Sequence, residues 1–148
     1  MITSNLYACS VSPSGYGQWI ALELSNRSED SVWITGINLD YGKLYDGSDM
    51  NNEVSTGSVI GTEIKSKELY TVWSCGRKSS PSGTEGTVTI SDKRINGTRV
   101  LDVYWDCPYT GKNKLEKRKP NKDWFVDVPT VQPDGAIGRV TAKFRKDD

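Results

Sequence analysis

The sequence predicts an all-β protein, a single-domain antiparallel β-sandwich. Clusters of turn-forming residues recur about every ten residues, and the short runs between them alternate apolar with polar side chains. No stretch shows a sustained helical period. A chain of 148 residues is suited to one domain with one core. The spacing of the turns predicts about eight or nine strands.

The first clear strand covers residues 18–24. Its apolar face comprises Ile20, Leu22 and Leu24, because alternate side chains of a strand point to opposite faces. Trp19 therefore faces outwards on the same strand. A tryptophan on the polar side of a strand indicates either a covering loop or a binding surface.

The next two strands carry aromatic side chains that we predict to be core. Trp33 shares a face with Ile37 and Leu39 in an alternating run, and Trp73 shares one with Leu69. The position of Trp124 stays open between core and surface.

Two polar segments are predicted to be irregular. The segment "YDGSDMNNE" at 45–53 clusters three acids, but their spacing does not fit a calcium loop, and we interpret it as a turn. The segment "GTEGT" at 83–87 has no following helix that could bind a phosphate, so it is read as a loop that leads into a strand.

The last two strands are predicted at 100–105 and 136–144. In the first, Trp105 falls on the core face and Tyr104 on the outer face. In the second, one face carries Ala136, Gly138, Val140, Ala142 and Phe144.

Composition excludes several classes of function. The chain has 19 basic and 19 acidic residues and no histidine, so a nucleic-acid partner, a metal centre and a catalytic triad are all unexpected. We expect a protein that is not an enzyme and has no cofactor. The longest apolar runs have four residues, far short of the ~20 that a membrane-spanning helix needs. No signal peptide is visible, so we expect a soluble protein.

Three cysteines, Cys9, Cys75 and Cys107, show no CxxC spacing. An odd number without a secretory signal favours free thiols, and a single bridge between Cys75 and Cys107 is the alternative.

The segment "YWDCPY" at 104–109 suggests a surface function. Trp19, Tyr41, Tyr104 and Tyr109 are candidates for outward aromatic side chains near strand ends, and such side chains suit a membrane interface. Asp106 and Lys112 lie beside these rings and would engage a lipid headgroup.

The segment 111–122 is strongly basic. Six Lys and Arg residues stand there against one acid, Glu116. It is interpreted either as a solvated hairpin loop or as a patch for an anionic surface.

Several motifs in order resemble the aegerolysins over residues 17–145. They are "GQWI" at 17–20, "YGKLYDG" at 41–47, "EV" at 53–54, "SCGR" at 74–77, "GTEGT", "YWDCPY" followed by "GKN", and "GAIG" at 135–138. The resemblance implies an aegerolysin-like β-sandwich domain at 17–148, preceded by an N-terminal extension at 1–16.

The resemblance also implies a function. Several aegerolysins bind membrane sphingolipids, in some cases together with a sterol, and some recruit a perforin-like (MACPF) partner to form a cytolytic or insecticidal pore. Such a protein acts at the surface of target-cell membranes, and it could be secreted by a route without a signal peptide. The lipid-binding residues that the resemblance and the aromatic pattern imply are Trp19, Tyr41, Tyr104, Trp105, Asp106, Pro108, Tyr109 and Lys112.

The chain departs from the best-known fungal members at three site positions. Tyr41 and Tyr109 stand where those members have Trp, and Ser82 stands where a sphingomyelin binder has a glutamate tied to cholesterol-dependent recognition. These changes motivate an alternative function, a toxin component that binds a protein or glycan receptor on target epithelial cells.

Overall fold

A computed structural model describes residues 13–147, and within them the chain forms eleven strands and two short 3-10 turns. The strands are β1 Trp19–Asn26, β2 Val32–Tyr41, β3 Lys43–Asp46, β4 Asp49–Val54, β5 Glu63–Ile64, β6 Leu69–Cys75, β7 Thr84–Ser91, β8 Arg99–Cys107, β9 Lys114–Arg118, β10 Trp124–Asp127 and β11 Gly138–Lys146. The 3-10 turns cover Gly15–Gly17 and Thr56–Ser58. The count exceeds the predicted eight or nine, because very short strands such as β5 have no readable alternation.

The strands form a two-sheet sandwich, which confirms the predicted fold class. One sheet has six strands in the order β10-β11-β1-β6-β3-β4, and the other has five in the order β5-β2-β7-β8-β9. All strand pairs are antiparallel except β1 with β11, which is parallel.

The predicted core face of β1 is confirmed. Ile20, Leu22 and Leu24 are fully buried, and so is Trp105 of β8. The core between the sheets is completed by aliphatic side chains of β2, β7 and β11.

The prediction that Trp33 belongs to the core was wrong. Val32 and Ile34 are fully buried, so Trp33 points to the other side of β2 and is only half-buried. A β-bulge between Ile34 and Gly36 then shifts the register, and Ile37 packs against the core. A bulge adds one residue to a strand and reverses which side chains face inwards, so Trp33 and Ile37 do not share a face.

The prediction for Trp73 was also wrong. In β6 Val72, Ser74 and the last residue, Cys75, are buried, whereas Leu69 is 51% exposed. Trp73 lies on the outer face, where its ring contacts Tyr45 at 5.9 Å between centroids and the Arg139 guanidinium at 5.0 Å. Apolar residues occupy both faces of this strand, so alternation alone does not distinguish them.

The last strand is confirmed but begins later than predicted. Ala142 and Phe144 are buried on the predicted face. Ile137, predicted on the opposite face, is also buried. Gly138 has φ +77°, a conformation that a side chain disfavours, and this break in the extended chain turns Ile137 inwards.

Three segments predicted to be turns or loops contain strand residues. In the 83–87 segment the loop interpretation was wrong for residues 84–87, which begin β7. Residues 45–53 belong to the hairpin of β3 and β4, but only Gly47 and Ser48 form its turn, so the turn interpretation was wrong for the strand residues on either side. In the basic segment 111–122, Lys114–Arg118 forms the edge strand β9, which pairs with β8. The loop interpretation was wrong for these five residues, because Leu115 is buried against the core and fixes the pairing.

The structure also addresses the cysteines and the start of the chain. Cys75 and Cys107 are free, buried thiols, so the bridge between them is excluded, whereas Cys9 lies outside the described residues. Most of the predicted extension 1–16 lies outside them as well. Gly15 donates a backbone hydrogen bond to the Arg77 carbonyl at 2.8 Å, which joins this part of the chain to the sandwich.

Candidate functional site

A groove of about 460 Å³ lies at one end of the five-stranded sheet, where β2 and β8 end and β7 begins. Its lining comprises Tyr41, Pro81, Ser82, Gly83, Thr84, Glu85, Asp106 and Pro108. Three of the predicted site residues, Tyr41, Asp106 and Pro108, therefore meet in one place.

The strand register produces a row of side chains of which the first three line the groove and the fourth, Lys114, follows on β9. Tyr41 lies opposite Glu85, Glu85 lies opposite Asp106, and Asp106 lies opposite Lys114. Directly opposed residues on neighbouring strands have side chains within contact range. The row thus presents an aromatic ring, two carboxyl groups and an ammonium group in succession.

The two carboxyl groups are an unfavourable pair in the absence of a ligand. Like charges directly opposite each other destabilise a sheet. Burial, with the charge of Glu85 as a second cause, raises the pKa of Asp106, and Lys114 offsets this in part. Glu85 is engaged, since it accepts a hydrogen bond from the Tyr104 hydroxyl. Within residues 13–147 the carboxyl group of Asp106 has no hydrogen-bond or ion-pair partner.

Tyr104 contacts the row through Glu85 and does not itself line the groove. It lies on the outer face of β8, as predicted, but only 7% of it is exposed. The Arg118 guanidinium stacks over its ring at 3.7 Å from the centroid. Burial and the bond to Glu85 raise the pKa of Tyr104, so its hydroxyl remains a hydrogen-bond donor.

The rest of the "YWDCPY" segment alternates between core and surface. Trp105 is fully buried and its indole N–H donates to Thr84 Oγ1 at 3.0 Å. Cys107 is also fully buried. Trp105 therefore offers no surface to a lipid, and its contribution is to fix β7 against β8 beneath the groove.

Close backbone packing shapes the wall of the groove. A Cβ at Gly83 would stand 2.2 Å from the Cys107 carbonyl oxygen and 2.7 Å from Pro108 Cα, so only glycine fits there. With its amide oriented to suit its partners, Gln18 donates to the carbonyl oxygens of Pro108 at 3.2 Å and Gly135 at 3.1 Å. Ser82 Oγ accepts from the Arg77 backbone N–H at 2.8 Å and so closes the loop above the groove.

The other predicted residues lie outside the groove lining. Trp19 is half-buried at the start of β1, in the other sheet. Tyr109, 40% exposed, and Lys112 belong to the turn between β8 and β9. Tyr41 is 66% exposed and is the most accessible aromatic ring of the groove.

Sequence reasoning missed Glu85. Its outward position follows from the alternation of β7, but its place between Tyr41 and Asp106 follows only from the pairing of three strands. The sequence signal for it was an acid in the "GTEGT" segment, two residues beyond a glycine that the backbone requires.

Two features are absent from residues 13–147. No group of three or more Cys, Asp and Glu side chains is arranged to bind a metal ion. In the same residues no helix has the length and apolar character needed to cross a membrane.

Comparison with known proteins adds a family match and several relatives. A family model described as Aegerolysin matches residues 17–147. Ostreolysin A6 of Pleurotus ostreatus is 30% identical over 133 residues, which cover 88% of this chain and 96% of the relative. Asp-hemolysin of Aspergillus fumigatus is 32% identical over 132 residues, 87% of this chain and 93% of the relative.

Solved structures are similar over the same region. IP-1A from Alcaligenes faecalis has a TM-score of 0.81 and 30% identity, and the match covers 91% of this chain and 95% of that one. The RahU protein, solved in complex with a TRIS molecule, has a TM-score of 0.80 and 26% identity, with coverage of 88% and 96%.

Proposed function

The chain belongs to the aegerolysin family, and from that premise we propose that it binds the headgroup of a membrane sphingolipid through the groove at the end of the five-stranded sheet. It is a lipid-binding, toxin-related protein, and it has no catalytic role in this proposal. The row formed by Tyr41, Glu85, Asp106 and Lys114 is the observation that carries the proposal.

The charges of the row suit a zwitterionic headgroup. An ammonium group bound between Glu85 and Asp106 relieves the repulsion of the two carboxylates, and Tyr41 offers its ring face to the same cation. The phosphate of the headgroup then has Lys114 within the row and Lys112 in the neighbouring exposed turn as candidate partners. Phosphocholine and phosphoethanolamine both contain this pair of charges.

The exposed aromatic rings supply the membrane contact. Tyr41 and Tyr109 are 66% and 40% exposed. Covering on the order of 100 Å² of each at ~25 cal/mol per Å² gives at most ~5 kcal/mol before the cost of association. That corresponds to weak, reversible binding, so the headgroup contacts must supply the rest of the affinity and the selectivity.

We also propose which protein the lipid-bound chain recruits. The lipid-bound protein recruits a perforin-like partner, and the pair forms a cytolytic or insecticidal pore. The resemblance to aegerolysins supports this, and so does the name of one relative, Asp-hemolysin. Ser82 lines the groove where a fungal sphingomyelin binder has a glutamate, so we expect lipid binding here to depend less on sterol.

The test is sedimentation of the purified protein with liposomes at low and physiological salt. The compositions are phosphatidylcholine alone, sphingomyelin with cholesterol, ceramide phosphoethanolamine with cholesterol, and phosphatidylcholine containing ceramide 1-phosphate. We expect retention on one or both amine-bearing sphingolipids. Ceramide 1-phosphate, which has the phosphate without the ammonium, is not expected to retain the protein.

Matched variants locate the site. Tyr41→Ala should abolish retention, whereas Phe125→Ala, which removes a ring 52% exposed on β10, should leave it intact. Replacing Lys117, Arg118 and Lys119 by Ser should weaken binding less than Tyr41→Ala and mainly at low salt. Retention on neither sphingomyelin nor ceramide phosphoethanolamine would contradict the proposal, and absence of retention on all four compositions would favour a protein or glycan receptor.

A further inference from the structure

A second cavity, of about 480 Å³, lies at the opposite end of the sandwich from the groove that we propose binds the lipid headgroup, called the headgroup groove below. It is located where β1 and β7 end and β2 begins, whereas the groove is located where β7 begins. The eight residues of β7 separate the two by about 25 Å, at ~3.3 Å per residue. The two sites therefore share no lining residue and are independent in position.

Two tryptophan side chains form the walls of this cavity. Trp33 belongs to the five-stranded sheet and Trp124 to the six-stranded one. Trp33 faces the cavity because it lies between the buried Val32 and Ile34 along β2 and therefore points away from the core. Trp124 packs against Phe144 at 6.4 Å between ring centroids, which holds its indole in place.

The polar groups of the lining are of both signs. Asp30 provides a carboxylate, and Lys93 and Lys146 provide ammonium groups. Within residues 13–147 these three side-chain groups have no hydrogen-bond or ion-pair partner. The other two acids of the lining are engaged: Glu29 pairs with Lys67 at 3.1 Å, and Asp92 accepts from the Thr98 backbone N–H at 2.7 Å.

These features select one class of ligand. The two lysines disfavour a cationic ligand, and the Asp30 carboxylate disfavours an anionic one. A neutral ligand with hydroxyl groups is therefore favoured. Two indole faces favour a ligand with a flat apolar side, and each indole also has an N–H donor. A pyranose ring has both properties, because its C–H face stacks on an aromatic ring while its hydroxyls accept from Lys and donate to Asp.

We propose that the cavity between Trp33 and Trp124 binds a pyranose unit of a glycan. A glycan held at this end leaves the headgroup groove free for lipid, so the two contacts can act on one target surface. Joint engagement would raise the overall affinity through effective concentration without any new contact.

The primary experiment probes wild-type protein on a printed array of galactose-, mannose-, fucose- and N-acetylglucosamine-terminated oligosaccharides. Glycans that bind are then titrated by calorimetry as free oligosaccharides. Wild type should retain a subset of these glycans, and Trp33→Ala should weaken that binding at least tenfold. Trp73→Ala is the matched control, because it removes a half-buried indole from an outer face elsewhere in the molecule; it should bind like wild type.

Two further measurements exclude trivial explanations. Asp30→Asn changes an exposed side chain whose carboxylate has no hydrogen-bond or ion-pair partner within residues 13–147, so it should reduce glycan binding with unchanged thermal unfolding even if Trp33→Ala fails to fold. Phosphatidylcholine liposomes with and without a neutral glycolipid distinguish a membrane-borne glycan from a soluble one. Retention on sphingolipid liposomes without glycan should be equal for wild type and Trp33→Ala. Absence of binding to every printed glycan, or equal binding by wild type and Asp30→Asn, would overturn the proposal.

Discussion

Asp106→Asn should make the protein more stable and less able to bind lipid. The carboxyl group of Asp106 lies directly opposite Glu85 across the β7–β8 pair and has no protein partner within residues 13–147. Removing its charge relieves the repulsion, whereas an ammonium ligand loses one of its two acidic contacts. If Asp106 served only to stabilise the fold, Asp106→Asn would instead lower the free energy of unfolding.

The magnitude follows from the geometry of the row. A cross-strand charge pair is worth roughly 0.2–1 kcal/mol, and Lys114 on the other side of Asp106 offsets part of the repulsion. We expect the free energy of unfolding to rise by about 0.5 kcal/mol at neutral pH. With an m-value of about 2 kcal/mol/M, the urea midpoint rises by about 0.25 M. The loss of a charged contact worth about 1.5–3 kcal/mol weakens lipid binding by roughly ten- to a hundredfold.

The dependence on pH gives a second readout. The pKa of Asp106 is raised in the folded protein, so the folded state binds the proton more readily than the unfolded state. The penalty in wild type is therefore fully present above the folded pKa and disappears below the unfolded value of about 3.9. The stability gain of Asp106→Asn should shrink as pH falls through this window.

Urea unfolding followed by tryptophan fluorescence at neutral and acidic pH measures this gain, and liposome sedimentation measures the binding. Asp134→Asn, which changes an exposed carboxyl in the loop before β11, is the control and should alter neither quantity. A lower midpoint for Asp106→Asn at neutral pH would refute the reasoning, and so would undiminished lipid binding.

Three further predictions concern Tyr104, the glycine in the groove wall and the two buried thiols. Tyr104→Phe removes the hydroxyl that donates to Glu85 and should lower the free energy of unfolding by roughly 1.5–3 kcal/mol, measured by urea unfolding; an unchanged midpoint would contradict that bond. Gly83→Ala places a Cβ against the Cys107 carbonyl and should cost about 1–3 kcal/mol and abolish liposome binding; wild-type binding would show that the wall can move. Burial raises the pKa of the Cys75 thiol to about 11 and also raises that of Cys107, so peptide mapping after treatment with iodoacetamide at pH 8 should find both unmodified until urea unfolds the chain.

Much of the fold could be predicted from the alternation of apolar and polar side chains. Which face of a strand is buried can be read from the residues of that strand alone. The faces of β1 and β8 followed from Ile20, Leu22, Leu24 and Trp105. Two of the errors arose where the alternation of side chains along a strand was interrupted, whereas Trp73 was misplaced because β6 carries apolar residues on both faces. The bulge after Ile34 places Trp33 and Ile37 on opposite faces of β2, and Gly138 with its positive φ interrupts the alternation next to Ile137. Neither irregularity leaves a distinct mark in a single sequence.

The candidate site was predicted in part. Tyr41, Asp106 and Pro108 were identified from residue type and motif, and the structure places all three in one groove. Glu85 was missed because its role depends on which residue of a neighbouring strand it faces. Trp105 was selected because it belongs to the motif, although alternation already placed it in the core. Residue type indicates a candidate, and only strand register decides which candidates meet.

The parallel pairing of β1 with β11 has a consequence for how the chain folds. Glu23 of β1 accepts a bond from Arg139 of β11 at 2.7 Å, across a separation of 116 residues in sequence. During synthesis β1 therefore keeps one unpaired edge until more than a hundred further residues have been made. Long-range pairing of this kind slows folding and prolongs the exposure of an aggregation-prone strand edge. We expect nascent chains that stop before residue 138 to require chaperone protection. We also expect the pairing of β11 with β1 to be the rate-limiting step of refolding.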